Sequence, residues 1–448
     1  MITWRPAAAV AAGTLLLALA GVALGDRVGG AWLWLGAAAL LTAVAAACAL
    51  DAVAAVPPKA LTLTRSGQRS LWLGDTGTVE LTVRNGAGRP FTGRVRDAWV
   101  PSAGAHPTEQ DVRIGPGRTV RLTTTLTPTR RGDRPAVRVT LRSYGPLRLA
   151  YRQTTRRAAD AMTPPWQLRV YPAFASRRIL PEKVARLRVL DGSVVTRGRG
   201  QGTEFDTLRE YVIGDDVRSI DWRGSARRSD VVVRSWRPER DRRLVCVLDT
   251  GRTSAARIGD EPRLDAAMDA ALLLASVAAR ADDRVDLLAV DTAVRASVTN
   301  VDKSTLLWRL VTAMAPLQPA LVETDFGLVA GEILRRERKR ALVVLFTALE
   351  PGALGDGLLP VLPQLAARHK VVVAAVHDPE LSRMAQVPPD AAAEEVYAAA
   401  AAQRTLAERE RVSAALRRHG VEVVDAPADV FASRVTDHYL ALKATGRL

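Results

Sequence analysis

The stretch RRLVCVLDT, residues 242–250, decides the fold of the larger part of this chain. Five apolar residues run without polar alternation between an arginine pair and an aspartate. Such a run, of strand length, describes a strand covered on both faces rather than one half-exposed. The pattern recurs in RVDLLAVDT (284–292), ALVVLFTAL (341–349), KVVVAAVHD (370–378) and VEVVDAP (421–427). Helical segments such as RLDAAMDAALLLASVAARA (263–281) and DFGLVAGEILRRERK (325–339) stand between several of them. Strands alternating with helices form crossover units, so residues 241–448 are expected to build a mostly parallel, Rossmann-like α/β sheet with helices on both faces. VRASVTN (294–300) is expected to add an antiparallel edge strand. Ligands of open sheets bind beyond the carboxyl ends of the strands, and the loop after Asp249 lies there, as does His377, which reads as a loop-forming residue.

The other end of the chain is a different material. Ala7 to Gly25 carries no charge over 19 residues and Ala31 to Leu50 none over 20. Each is long enough to cross about 30 Å of hydrocarbon. Residues 1–56 are therefore expected to form a transmembrane hairpin, with a cleaved signal peptide as the alternative for the first span. Arg5 before the first span and Lys59, Arg65 and Arg69 after the second place both termini in the cytoplasm of a multi-pass cell-membrane protein. From 60 to 152, period-two stretches such as TGTVELTVRN (76–85) and RTVRLTTTLTP (118–128) predict an all-β immunoglobulin-like sandwich. Residues 153–240 read as a connector, and the glycine-rich RGRGQG (197–202) in it lacks the strand and helix flanks of a phosphate loop.

The net charge of +16 comes almost wholly from arginine and points to an acidic partner, an anionic membrane surface or nucleic acid. Arginines cluster between 223 and 243, but Asp221, Asp230, Glu239 and Asp241 stand among them and would repel phosphates, which argues against nucleic acid. Cys48 and Cys246 both sit in apolar runs and suggest no disulfide framework. The sequence holds no G-x-x-x-x-G-K-[ST], H-E-x-x-H, G-x-S-x-G or paired C-x-x-C, and its five histidines lack metal-ligand spacing.

Inside the connector stands EFDTLREYVIGDDVRSIDWRGSAR, residues 204–227, where charged and aromatic residues interleave too closely for either regular period. Arg209, Arg218 and Arg227 can make forked bonds to carboxylates such as Asp215, Asp216 and Asp221, and Tyr211 and Trp222 offer faces for guanidinium stacking. This run resembles the hallmark of a bacterial family called domain of unknown function 58. Its matching positions here are Glu204, Phe205, Arg209, Tyr211, Gly214, Asp215, Asp216, Arg218, Asp221, Trp222 and Arg227. The resemblance implies a membrane hairpin, a β domain and a C-terminal von Willebrand factor A-like domain. It also implies work beside a MoxR-type AAA+ ATPase, in the assembly or maturation of other proteins.

Von Willebrand A-like domains often carry a metal-ion-dependent adhesion site, built on Asp-x-Ser-x-Ser, a threonine from a second loop and a later aspartate. Asp249, Thr253 and Thr324 match three of those positions, whereas Gly251 replaces the first serine and Ala348 the later aspartate. Ser254, Asp325 and Glu350 are the available substitutes. Losing the second carboxylate removes charge that offsets dehydration of Mg²⁺, so a degenerate, metal-free site is expected. The expected function is a membrane-anchored, non-enzymatic protein-interaction module. The alternative is a metal-dependent hydrolase with its site around Asp249 and Asp291.

Overall fold

The computed structural model describes residues 2–24, 30–194, 204–212, 217–228, 230–237, 242–259, 261–387 and 392–448. The chain divides into two units, Met1–Tyr171 and Pro172–Leu448. The first begins with helices α1 (Arg5–Leu24) and α2 (Gly30–Ala54), both apolar on every face and long enough to cross a membrane. They pack through small residues: a Cβ on Gly13 would lie 2.5 Å from Leu40, and one on Gly36 3.0 Å from Leu17.

The rest of this unit is β structure: β1 (Leu61–Gly67), β2 (Ser70–Trp72), β3 (Gly77–Asn85), β4 (Phe91–Trp99), β5 (Ala105–His106), β6 (Glu109–Ile114), β7 (Thr119–Leu126), β8 (Gly132–Tyr144), β9 (Tyr151–Gln153) and β10 (Gln167–Tyr171), with helix α3 (Arg156–Met162) before the last strand. One sheet has the order β1-β3-β7-β5; the other runs β2-β10-β8-β4-β6, with β9 beside β8. Alternation decides which side faces inward. Val79, Leu81 and Val83 of β3 are buried, and Leu81 and Val83 share a core with Phe91, Val95 and Leu141 of the opposite sheet. The sandwich runs past the expected boundary at 152, because Leu168 and Val170 of β10 are fully buried and the strand fills the place between β2 and β8.

Asp51, near the end of α2, ties the hairpin to this sandwich. It is 2% exposed and accepts backbone N–H bonds from Leu147 and Leu149, both at 2.7 Å, and from Ala150 at 2.9 Å. The same loop receives the start of α1, since Thr3 N–H donates to the Leu149 carbonyl at 2.9 Å.

In the second unit, helix α4 (Leu180–Val194) is followed by the antiparallel pair β11 (Glu204–Glu210) and β12 (Val232–Arg237), with α5 (Trp222–Arg228) between them. Then come β13 (Arg243–Asp249), the short pair β14 (Arg257–Ile258) and β15 (Glu261–Pro262), α6 (Arg263–Arg280), β16 (Arg284–Val290), β17 (Val294–Val298), α7 (Lys303–Met314), α8 (Phe326–Arg336) and β18 (Leu342–Phe346). A single turn α9 (Pro351–Ala353), α10 (Leu362–Arg368), β19 (Lys370–His377), α11 (Pro379–Met384), α12 (Ala393–Arg418), β20 (Glu422–Pro427) and α13 (Ala428–Ala444) complete the chain. The main sheet has the order β17-β16-β13-β18-β19-β20, parallel throughout except for β17, the expected antiparallel edge.

Side chains of β13 alternate between two apolar layers. Val245 and Val247 join the core under α8 and α10, while α6 covers the opposite face. Segment 175–190, expected as connector, belongs to this layer. Ser176 donates to Asp269 of α6 at 3.0 Å, and the nearly buried Lys183 bonds both carboxylate oxygens of Asp437 of α13 at 2.9 Å. The glycine-rich 197–202 lies outside the described residues.

Burial pushes the Cys246 thiol up to about 12, with the nearby Asp286 adding to the effect. Native protein is therefore expected to leave Cys246 unalkylated by iodoacetamide at about pH 8 and to label it fully in urea, read by peptide mass spectrometry.

Candidate functional site

The strand order reverses at β13, where the connections on one side lead to β16 and on the other to β18. The crevice at the carboxyl end of that switch is where an open sheet receives ligands. Asp249 ends β13 there and is 2% exposed. Its Oδ1 accepts the Gly251 N–H at 2.8 Å and the Thr324 hydroxyl at 2.5 Å. Its Oδ2 accepts the Thr253 hydroxyl at 3.1 Å and the Thr347 hydroxyl at 2.5 Å. A carboxylate has about four lone-pair sites, and here four donors take them. Ser254 closes the loop by donating to the Asp249 carbonyl at 2.6 Å.

The structure thus brings Asp249, Thr253 and Thr324 together and adds Thr347, which the sequence reading passed over. Parallel register pairs Leu248 with Phe346, so Thr347 emerges beside Asp249. Ala348, the position that would carry the second carboxylate of an adhesion site, is fully buried. Gly251 has a steric reason: a Cβ there would lie 2.2 Å from the Thr324 hydroxyl and 2.9 Å from the Val322 carbonyl. A serine in this place and the Thr324–Asp249 bond exclude each other.

The substitutes are committed elsewhere. Asp325 caps α8 by accepting the Leu328 N–H at 2.8 Å, and Glu350 pairs with Arg263 at 3.2 Å. Asp291, fully buried beside this collar of four donors around Asp249, accepts the Thr250 hydroxyl at 3.2 Å, the Ala293 N–H at 3.1 Å and Arg295 Nε at 2.7 Å. Burial raises its pKa, but the Arg295 hydrogen bond, the Ala293 amide and the arginine's charge outweigh it and hold the carboxyl below its usual range. His377 Nδ1 lies 3.0 Å from Asp425, which also takes Arg409 at 2.7 Å. No group of three or more His, Cys, Asp or Glu residues with metal-holding geometry occurs among the described residues.

Within the hallmark, Asp221 caps α5 through the Gly224 N–H at 2.9 Å, and Ser225 braces the Val232 N–H at 2.9 Å. Tyr211 N–H donates to the Val231 carbonyl at 2.8 Å. Arg227 is exposed. Trp222 is 69% exposed, and among the described residues no guanidinium lies over it. Gly214, Asp215 and Asp216 lie outside the described residues, as do the side chains of Glu204, Phe205, Arg209 and Arg218, whose backbone alone is placed.

Replacing Thr347 with Val keeps its shape and removes a bond to a buried charge, so a loss of about 1.5–3 kcal/mol in urea unfolding is expected. Gly251→Ser is expected to cost about 1–3 kcal/mol. Pairing it with Thr324→Ala should recover part of that loss, and additive costs would contradict the collision. Asp291 carries a depressed folded-state pKa, so its stabilisation is present above the unfolded value of about 3.9 and is lost as pH falls through the folded one. Asp291→Asn should therefore lower the Tm at neutral pH, and the gap to wild type should shrink on acidification.

Uncharacterized protein Rv1480 of Mycobacterium tuberculosis and Uncharacterized protein Mb1516 of Mycobacterium bovis are each 28% identical over 200 residues, covering 43% of this chain and 60% of theirs. The chain thus spans about three-fifths of the length of the curated relatives it matches. Among solved structures, the CARDB domain of the PF1109 protein from Pyrococcus furiosus, in complex with di-metal ions, is 18% identical over 25% of this chain and 86% of that one, with a TM-score of 0.19. Native alpha-2-macroglobulin from Escherichia coli, from domain MG7 to the C-terminus, is 19% identical over 25% and 17%, with a TM-score of 0.20. Residues 207–424, which contain Asp249, Asp291, Thr324 and Thr347, match the family described as Protein of unknown function DUF58.

Proposed function

We propose that this protein is a membrane-anchored, non-catalytic interaction module. Helices α1 and α2 span the cell membrane with both termini cytoplasmic. The α/β unit is von Willebrand factor A-like with a degenerate metal-ion-dependent adhesion site, and it engages a protein partner at its carboxyl edge. The partner is an AAA+ ATPase of the MoxR type, and the process is assembly or maturation of other proteins.

The observation that carries this reading is the saturation of Asp249 by four donors of its own chain. A general base needs a free lone pair, and a metal ligand needs the same. A carboxylate that gives both oxygens to neighbouring loops instead holds those loops in one shape, as a recognition surface requires. The apolar spans and the basic residues around them support the anchoring and its orientation.

In calorimetric titration, the full chain is expected to show no Mg²⁺ or Mn²⁺ binding tighter than about 1 mM. An AAA+ ATPase should co-purify with it from membranes solubilised in mild detergent, and a phosphatase reporter fused at the C-terminus should stay inactive. Recovery of no ATPase, or an active external reporter, would sink the reading. Metal-dependent hydrolysis abolished by Asp249→Ala would replace it with the hydrolase alternative.

A further inference from the structure

At the foot of α1 lies a cavity of about 580 Å³, well within the size range of small-ligand sites. Arg5, Arg94, Arg113 and Arg148 line it, against Asp111 as the one carboxylate. Asp111 is already taken by Arg94 in a two-pronged bond of 2.8 and 3.0 Å, which holds its pKa low. Arg113 and Arg148 are exposed at the rim, so the cavity keeps a surplus of positive charge.

Its position narrows the ligand. Arg5 is the first residue of α1, and its guanidinium donates to the Leu147 carbonyl at 3.2 Å. The apolar surface of the helix begins directly beyond it. Trp4, 75% exposed, and Tyr151 also line the cavity. Aromatic rings beside arginines at the end of an apolar helix mark headgroup depth in a bilayer.

We infer that this cavity binds the phosphodiester headgroup of an anionic glycerophospholipid, whose acyl chains run along α1. The inference rests on α1 and α2 crossing the membrane, as proposed above. Guanidinium groups bind phosphate oxygens through paired N–H donors, and the lipid phosphate is the anion present at that depth. Anionic lipid would then fasten the sandwich at its attachment loop as well as along the hairpin.

The test uses the full chain. Carbonate extraction of membranes comes first: release of the chain would refute the spanning reading itself, whereas an embedded chain lets the lipid question be asked. Protein in nanodiscs of phosphatidylcholine with a minority of phosphatidylglycerol is then analysed by native mass spectrometry for retained lipid. Wild type is expected to retain phosphatidylglycerol in preference. R113Q with R148Q should weaken that retention by about fivefold per arginine, about 25-fold for the pair, while R118Q with R121Q, elsewhere on the sandwich, should leave it unchanged. No preference in embedded wild type, or an equal loss in the R118Q/R121Q control, would overturn the inference. sn-Glycerol 3-phosphate should compete at least about 100-fold more weakly for want of acyl chains. If it or inorganic phosphate, or an acidic peptide, bound as tightly as the lipid, the lipid assignment would fall. Should R113Q/R148Q fail to fold, the wild-type preference must still decline as salt is raised, and a salt-independent preference would refute the site.

Discussion

A buried carboxylate must be matched by donors or surrender its charge, and the carboxyl edge of the α/β unit is organised around meeting that demand at Asp249. Its four donors come from its own loop, from the loop before α8 and from the end of β18. Three chain segments distant in sequence are thereby fixed to a single pair of oxygens. The Ser254 bond to the Asp249 carbonyl and the Arg252 N–H bond to the Val322 carbonyl, at 2.8 Å, continue the same stitching through the backbone. Charge-assisted bonds are the strong ones, so these contacts join the three segments firmly at this edge.

The first unit uses an aspartate in the same way for a different purpose. Asp51 gathers three backbone N–H groups of the 147–150 segment, so an apolar helix is fixed to a β-sandwich by one carboxylate. Gly145 is required at that loop, because a Cβ would lie 2.3 Å from the Asp51 carboxylate. In both units the acidic side chain is spent on geometry.

Much of the architecture was legible from periodicity. Continuous apolar runs gave the buried parallel strands, alternation gave the sandwich, and uncharged lengths gave the two membrane-competent helices, because each pattern reflects how many faces of an element meet water. The limits were less legible. Strand β10 was missed because QLRVY, residues 167–171, is short and stands among prolines, and only its place between β2 and β8 makes it a strand. Residues 175–190 read as connector because their buried Ser176 and Lys183 are polar, and their acceptors, Asp269 and Asp437, are far along the chain.

At the candidate site the sequence by itself determined that Asp249 ends a central strand, that Thr253 and Thr324 are available to it, and that Gly251 and Ala348 depart from the adhesion pattern, since these follow from residue type and local spacing. Only the tertiary structure decided that Thr347 completes the collar, because parallel register between β13 and β18 sets which residue emerges next to the aspartate. It also decided why Gly251 is glycine, since the Thr324 hydroxyl occupies the space a side chain would need. Contacts between residues about 75 and 98 positions apart are set by packing and register, and no local pattern encodes them.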